Sequence, residues 1–161
     1  MRRSPLVGSA VPVVLTALVG TAGTDVGSAW YRRLDRPRWQ PPGPVFGLVW
    51  TVLCALVAAA GARTLPRAGA RRRGWTRAFA VNLVLNAAWP WAFFRAHRPP
   101  LAAAEAALLA VSSADLARRA ARVDRTAGLA LLPYAAWTAF ATVLSTEIAR
   151  RNRRSGGPAH G

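Results

Sequence analysis

A chain of 161 residues is the size of one domain, and just over half of it is apolar although the net charge is +16. All 22 basic residues are arginines, gathered in clusters between nearly uncharged runs; those runs are roughly 16 to 20 residues long, the length that spans a bilayer. A nucleic-acid module would instead spread its basic residues along helix faces, so the pattern excludes that class and points to a polytopic membrane protein.

The first apolar run extends from Pro5 to about Gly23 behind Arg2 and Arg3. It is long for the core of a signal peptide, and the rest of the chain is itself apolar, so it is expected to be the first span, over residues 5–24. The stretch from Trp30 to Trp50 follows, with three of the seven tryptophans, four prolines and four arginines. Pro37, Pro41, Pro42 and Pro44 fix φ and remove backbone donors, so most of it is expected to be an irregular, rigid connection. Such a connection forms either a lid over a site or an interfacial belt of Trp, Tyr and Arg.

The second span is expected over 45–62, where Ala58, Ala59, Ala60 and Gly61 permit close helix approach. Residues 63–74 are expected to be a basic loop. The third span is placed at 75–94, with Pro90 kinking it or ending its regular part near Trp89. The fourth, over 101–117, is Ala-rich and carries Glu105 and Asp115; residues 118–125 are a second basic loop. The fifth is placed at 129–149 with Pro133 near its start. The domain is thus expected to fill residues 1–152, ahead of a disordered basic tail at 153–161. Five spans put two, six and four arginines on one side of the membrane and four, two and four on the other, so the excess of positive charge on one side is too small to orient the bundle.

Helical spacing collects the unusual residues onto faces. Trp75, Phe79, Asn82, Asn86, Trp89 and Phe93 form one stripe of the third span. Phe46, Trp50, Cys54, Val57 and Gly61 share a face of the second, and Tyr134, Trp137, Ala141 and Ser145 one of the fifth. Asn82 and Asn86 must face other helices or a cavity, because a bare amide in hydrocarbon is costly. Glu105 has three placements open to it: reaching back to the interface, pairing with an arginine, or lining a polar pocket. A bundle with this interior suits a flat, largely apolar ligand, stacked on tryptophan, oriented by an amide and met at its edge by loop arginines. The lone Cys54 and the separated His97 and His160 offer neither a disulfide nor metal-ligand spacing, so no metal is expected. No nucleophile–base pair is visible, which favours binding over conventional catalysis.

Three blocks resemble the tryptophan-rich sensory protein family, also called the translocator protein or peripheral-type benzodiazepine receptor family (TspO/MBR). The first is Trp30-Tyr31, Pro37, Trp39, Pro41-Pro42, Val45-Phe46-Gly47 and Trp50-Thr51. The second is Asn86 and Trp89, then Phe93-Phe94 and His97-Arg98-Pro99. The third is Pro133-Tyr134, Trp137, Phe140-Ala141-Thr142 and Leu144, closing with Asn152. The resemblance implies an all-α integral membrane protein of the bacterial cell membrane: a five-transmembrane-helix bundle with its Trp/Pro-rich loop between helices 1 and 2, paired as a homodimer. It further implies a porphyrin-type ligand, protoporphyrin IX or haem, with no obligatory cofactor and no nucleic-acid partner. By position it assigns Trp50, Asn86, Trp89 and Trp137 to the pocket, Tyr31 and Pro41 to the closing loop, and Ala141 and Ser145 to the fifth-helix wall. Glu105 falls where such proteins often carry an acid. A sensory or regulatory binder is the leading expectation. Light-dependent porphyrin degradation assisted by Trp50 and Trp137, and transport of apolar metabolites, are the alternatives. The chain departs from the family pattern in Trp89-Pro90, where an extra residue usually separates the two, in Cys54 for a common aromatic residue, and in Ser145 for a common Asn. Residues 143–150 hold no tyrosine, so the animal sterol motif is absent.

Overall fold

The computed structural model describes residues 5–154, and every regular element in that range is helical. Helix α1 spans Pro5–Gly23, α2 is the short Ala29–Arg33, α3 spans Gly43–Arg67, α4 spans Arg72–Pro90 and α5 spans Pro99–Ala121. The short α6 (Arg125–Ala130) leads almost without interruption into α7 (Leu132–Arg154). Leu131 interrupts the run because Pro133 has no N–H to continue the ladder. Helix α5 packs most extensively on α7, α1 on α3, and α4 on both α5 and α1, while α3 meets α6 and α7. The long helices therefore close a ring in the order α1, α4, α5, α7, α3.

Four segments are long and apolar enough to cross a membrane: α1, α3, α5 and the α6–α7 run. Helix α4 lies in the same ring but is not apolar enough, because Arg72, Arg73 and Arg77 occupy its first turns and Asn82 and Asn86 its middle. The expected five spans thus appear as four helices of membrane character plus α4.

Most helices run further than their apolar cores. Helix α3 starts at Gly43 because proline is tolerated in a first helical turn, here Pro44. It continues through Arg63 to Arg67, so the loop expected at 63–74 shrinks to Ala68 and a single 3₁₀ turn, Gly69–Arg71. Helix α5 likewise absorbs Arg118 and Arg119 into its last turn, where cations favour the carbonyl end of the dipole. Of the expected tail, Arg153 and Arg154 belong to α7; residues 155–161, like Met1, Arg2 and Arg3, lie outside the described range. The regular part of α4 ends at Pro90, as the proline requires, and is followed by one π turn, Trp91–Arg95.

Small residues allow α1 and α3 to cross closely. A Cβ on Gly61 would lie 2.8 Å from the Ser9 Cβ, and the Ser9 hydroxyl donates to the Ala58 carbonyl at 2.8 Å. The N-terminal end of α1 therefore lies beside the C-terminal end of α3. At its other end α1 is held by the π turn: Trp91 Nε1 donates to the Val19 carbonyl at 3.1 Å and Arg95 to that of Ala22 at 3.0 Å. The bundle has two distinct ends. One gathers the connection 24–42, the starts of α3 and α5 and the C-terminus of α7. The other gathers the ends of α3 and α5, the start of α4 and α6.

Candidate functional site

The connection expected to be irregular contains one short helix. Ser28 caps α2 by accepting from the Tyr31 amide at 3.2 Å. This helix aims Trp30 and Tyr31 at the π turn. Trp30 meets the Phe93 ring edge-on at 5.5 Å, and Tyr31 lies 5.3 Å from the Phe94 ring. Trp30 also stacks on His97 at 4.5 Å. His97 takes a left-handed φ of 54° as the chain turns into α5, a conformation uncommon outside glycine. Further along, Gln40 Nε2 donates to the Tyr31 hydroxyl at 3.0 Å, and the Arg36 guanidinium sits 4.7 Å above the Tyr31 ring. Asn152 on α7 ties down the middle of the connection: its Oδ1 accepts from the Asp35 amide at 3.1 Å and its Nδ2 donates to the Asp35 carbonyl at 3.0 Å. The connection is therefore fastened at both the π turn and α7.

Beneath it the rings continue inward. Trp89 stacks on Phe93 at 5.2 Å with an interplanar angle of 11°. Phe46 on α3 meets Trp137 at 5.4 Å, and Trp137 in turn lies 5.2 Å from Phe140, which also carries Trp39 at 5.8 Å. Pro41 and Ala141 are half-buried here, and Ser145 is buried. Several polar atoms in this region are buried without a partner: Trp89 Nε1, Gln40 Oε1 and both carboxyl oxygens of Glu105. Of the three placements open to Glu105, the carboxyl in this structure neither reaches the surface nor pairs with an arginine.

One level further in, a chain of hydrogen bonds links the helices. Asn86 Nδ2 donates to the Tyr134 hydroxyl at 2.9 Å, and that hydroxyl donates to Asn82 Oδ1 at 2.9 Å. Asn82 Nδ2 donates to Ser113 Oγ at 3.1 Å and to Ser112 Oγ at 3.2 Å, and Ser113 ends the chain on the Leu109 carbonyl at 2.7 Å. Asn82 and Ser113 are fully enclosed. Trp50 abuts this network, with its ring 6.2 Å from that of Tyr134. Glu105 and the half-buried Cys54 lie within electrostatic range of the same tyrosine.

The proposed residues thus fall into two groups. Tyr31 and Trp89 join Phe93 and Phe94 in one aromatic cluster under the connection, whereas Trp50 and Trp137 pack against the central core. Asn86 stands between them, with its Nδ2 in the network and its Oδ1 without a donor among the described residues. Sequence reasoning placed Tyr134 on the right face but missed that it is the hub, and it did not single out Ser112 and Ser113. An adjacent serine pair in the middle of an otherwise apolar span was the available signal. No group of three His, Cys, Asp or Glu side chains able to hold a metal occurs among the described residues.

The TspO/MBR family model matches residues 9–151. The chain is 34% identical over 148 residues to the uncharacterized membrane protein YtaB of Bacillus subtilis (strain 168), covering 89% of this chain and 94% of that protein. It is 32% identical over 155 residues to the tryptophan-rich protein TspO of Chlorobaculum tepidum, covering 89% and 94%. Against the translocator protein of Homo sapiens the identity is 33% over 159 residues, covering 88% and 90%. Matched along nearly its whole length, and built from several apolar helices of membrane-spanning length, the chain is an integral membrane protein that belongs to the TspO/MBR family.

Proposed function

We propose that the protein is a tetrapyrrole-binding membrane protein of the sensory or regulatory kind, with its ligand held beneath the Trp30–Trp50 connection. The observation that carries this reading is the set of unpartnered buried polar atoms: Trp89 Nε1 in the aromatic cluster, Gln40 Oε1 beside Tyr31, and the Glu105 carboxyl within range of Tyr134. Buried donors and acceptors are almost always paired, and an unpaired carboxyl in an apolar interior is especially costly. A flat macrocycle would stack on the ring faces of Trp89, Trp50 and Trp137. Its pyrrole N–H groups would supply donors for Glu105 or Asn86 Oδ1, and a ring nitrogen or edge carbonyl would accept from Trp89 Nε1. Peripheral carboxylates would meet Arg36 and Arg38, both exposed on the connection. The names of relatives as tryptophan-rich proteins agree with this reading.

The ligand enters as the connection lifts from the π turn. Helix α4 acts as a fifth span: its arginines stay at one interface and its asparagines face the ring interior. The outward apolar faces of α1 and α3 meet lipid, and part of that surface serves a second copy in a homodimer.

Protoporphyrin IX titration, followed by absorbance and tryptophan quenching, tests the assignment. Saturable binding that weakens in Trp50→Ala and Trp137→Ala is the expected result. Absence of saturable binding, or affinity unchanged in both variants, would overturn it. Illumination yielding a new bilin-like product would move the protein into the enzyme class, and net flux across proteoliposomes would make it a carrier.

A further inference from the structure

The opposite end of the bundle holds a separate cavity of about 300 Å³, lined by Ala70 and Arg71 of the 3₁₀ turn, Gly74 and Trp75 in the first turn of α4, Arg119 in the last turn of α5, and Arg122 and Val123 just beyond it. That volume lies at the small end of the range for ligand pockets, roughly 300–1,000 Å³. Its charge is not balanced by the protein. At this end Asp124 pairs with Arg63 at 3.0 Å and Arg67 at 3.8 Å, and Asp115 pairs with Arg118 and, at 2.5 Å, with Arg119. The Ala127 amide, and then the two arginines, hold the Asp124 carboxyl below its ordinary range, so it stays ionised beside them. Arg71 and Arg122 have no carboxylate partner among the described residues.

A second feature is independent of charge. Trp75 is only 2% exposed, and its Nε1 has no acceptor, although a buried indole N–H ordinarily finds one. Its ring is fixed by stacking on Phe79 at 4.8 Å. Gly74 brings the α4 backbone beside Arg119: a Cβ there would meet Arg119 Nη1 at 3.6 Å, an ordinary contact. The cavity is thus lined by three arginines, one already shared with Asp115, and by the enclosed indole of Trp75; it lies between the end of α5 and the start of α4, and the latter is where helix polarity favours an anion.

We propose that this cavity binds a phosphate-bearing anion. Guanidinium forks match phosphate oxygens in a planar, bidentate manner, and a net excess of two positive charges suits a phosphomonoester or diester. The site lies at the ends of the membrane-length helices α3 and α5, the level of lipid headgroups, where basic pockets between spans take anionic lipids. It is remote from the aromatic cluster and does not depend on the ligand proposed there.

The test uses full-length protein in phosphatidylcholine nanodiscs doped with spin-labelled phosphatidylglycerol or spin-labelled phosphatidylcholine. The native chain should retain phosphatidylglycerol with about tenfold preference, the size of one lost charge-assisted contact. Arg71→Gln/Arg122→Gln alters two exposed side chains and should bring the preference near parity. Arg33→Gln/Arg153→Gln, an equal charge change at the other end, should leave it intact. Inorganic phosphate, against chloride at matched ionic strength, identifies the source. If it raises the thermal midpoint of the native chain but not of the Arg71/Arg122 variant, the phosphate group alone suffices; if only the lipid responds, the headgroup is the ligand. No preference together with no phosphate response, or equal loss in both arginine variants, overturns the proposal.

Discussion

The interior has two levels built from the same residue types and treated oppositely. Around Tyr134 every step from Asn86 to the Leu109 carbonyl is a hydrogen bond of 2.7–3.2 Å, linking α4, α5 and α7. Nearer the Trp30–Trp50 connection, Trp89 Nε1 and Gln40 Oε1, and with them the Glu105 carboxyl, belong to half-buried residues, yet these atoms are enclosed and have no partner. A satisfied network holds helices in register. An unsatisfied one is a standing free-energy cost, which a ligand with matching donors and acceptors would relieve. The contrast therefore divides scaffold from site where composition alone does not: both levels are aromatic, amide-bearing and buried.

The largest effect should come from the scaffold. Tyr134→Phe leaves Asn82 Oδ1 and Asn86 Nδ2 without their shared hydroxyl. Two interhelical bonds of this kind are worth about 2 kcal/mol together, so the thermal midpoint in detergent should fall by roughly 4–8 °C. Porphyrin affinity should change less than about twofold. An unchanged midpoint would mean that the network is not holding the helices.

At the other level the sign reverses. Glu105→Leu removes an unpartnered buried carboxyl and replaces it with an apolar side chain that suits the interior, which should stabilise the free protein by about 1 kcal/mol. The same change should weaken porphyrin binding. A lower midpoint would place Glu105 in the scaffold and erase the distinction between levels. The smallest effect belongs to the fastening of the connection. Asn152→Ala removes both hydrogen bonds to Asp35 at the surface, costing under about 1 kcal/mol. Its clearest signature should be several-fold faster hydrogen exchange at the Asp35 amide, with protection around Tyr134 unchanged.

The span positions were legible because arginine clusters bracket apolar runs. Their lengths were not. Arg63–Arg67 and Arg118–Ala121 continue as helix beyond the apolar core, and an arginine cluster does not show where a helix stops. Periodicity set Asn82, Asn86 and Trp89 on one stripe of α4; Phe93, expected on the same stripe, lies beyond α4 in the π turn, where it stacks on Trp89. It did not reveal that Tyr134, 48 residues from Asn86, bridges both asparagines. That bridge depends on how α7 registers against α4 across the ring, which no single-helix pattern encodes. For the same reason the burial of Glu105 became visible only once the neighbouring helices closed over it.

Trp89 gives the most direct test, because Phe in its place keeps a ring to stack on Phe93 and removes only the unpartnered N–H. The measurement is the equilibrium titration of Trp89→Phe with protoporphyrin IX beside the native chain. Binding should weaken by about five- to tenfold, one hydrogen bond's worth, with no loss of thermal stability. Saturable binding at native affinity would contradict this and put the ligand elsewhere.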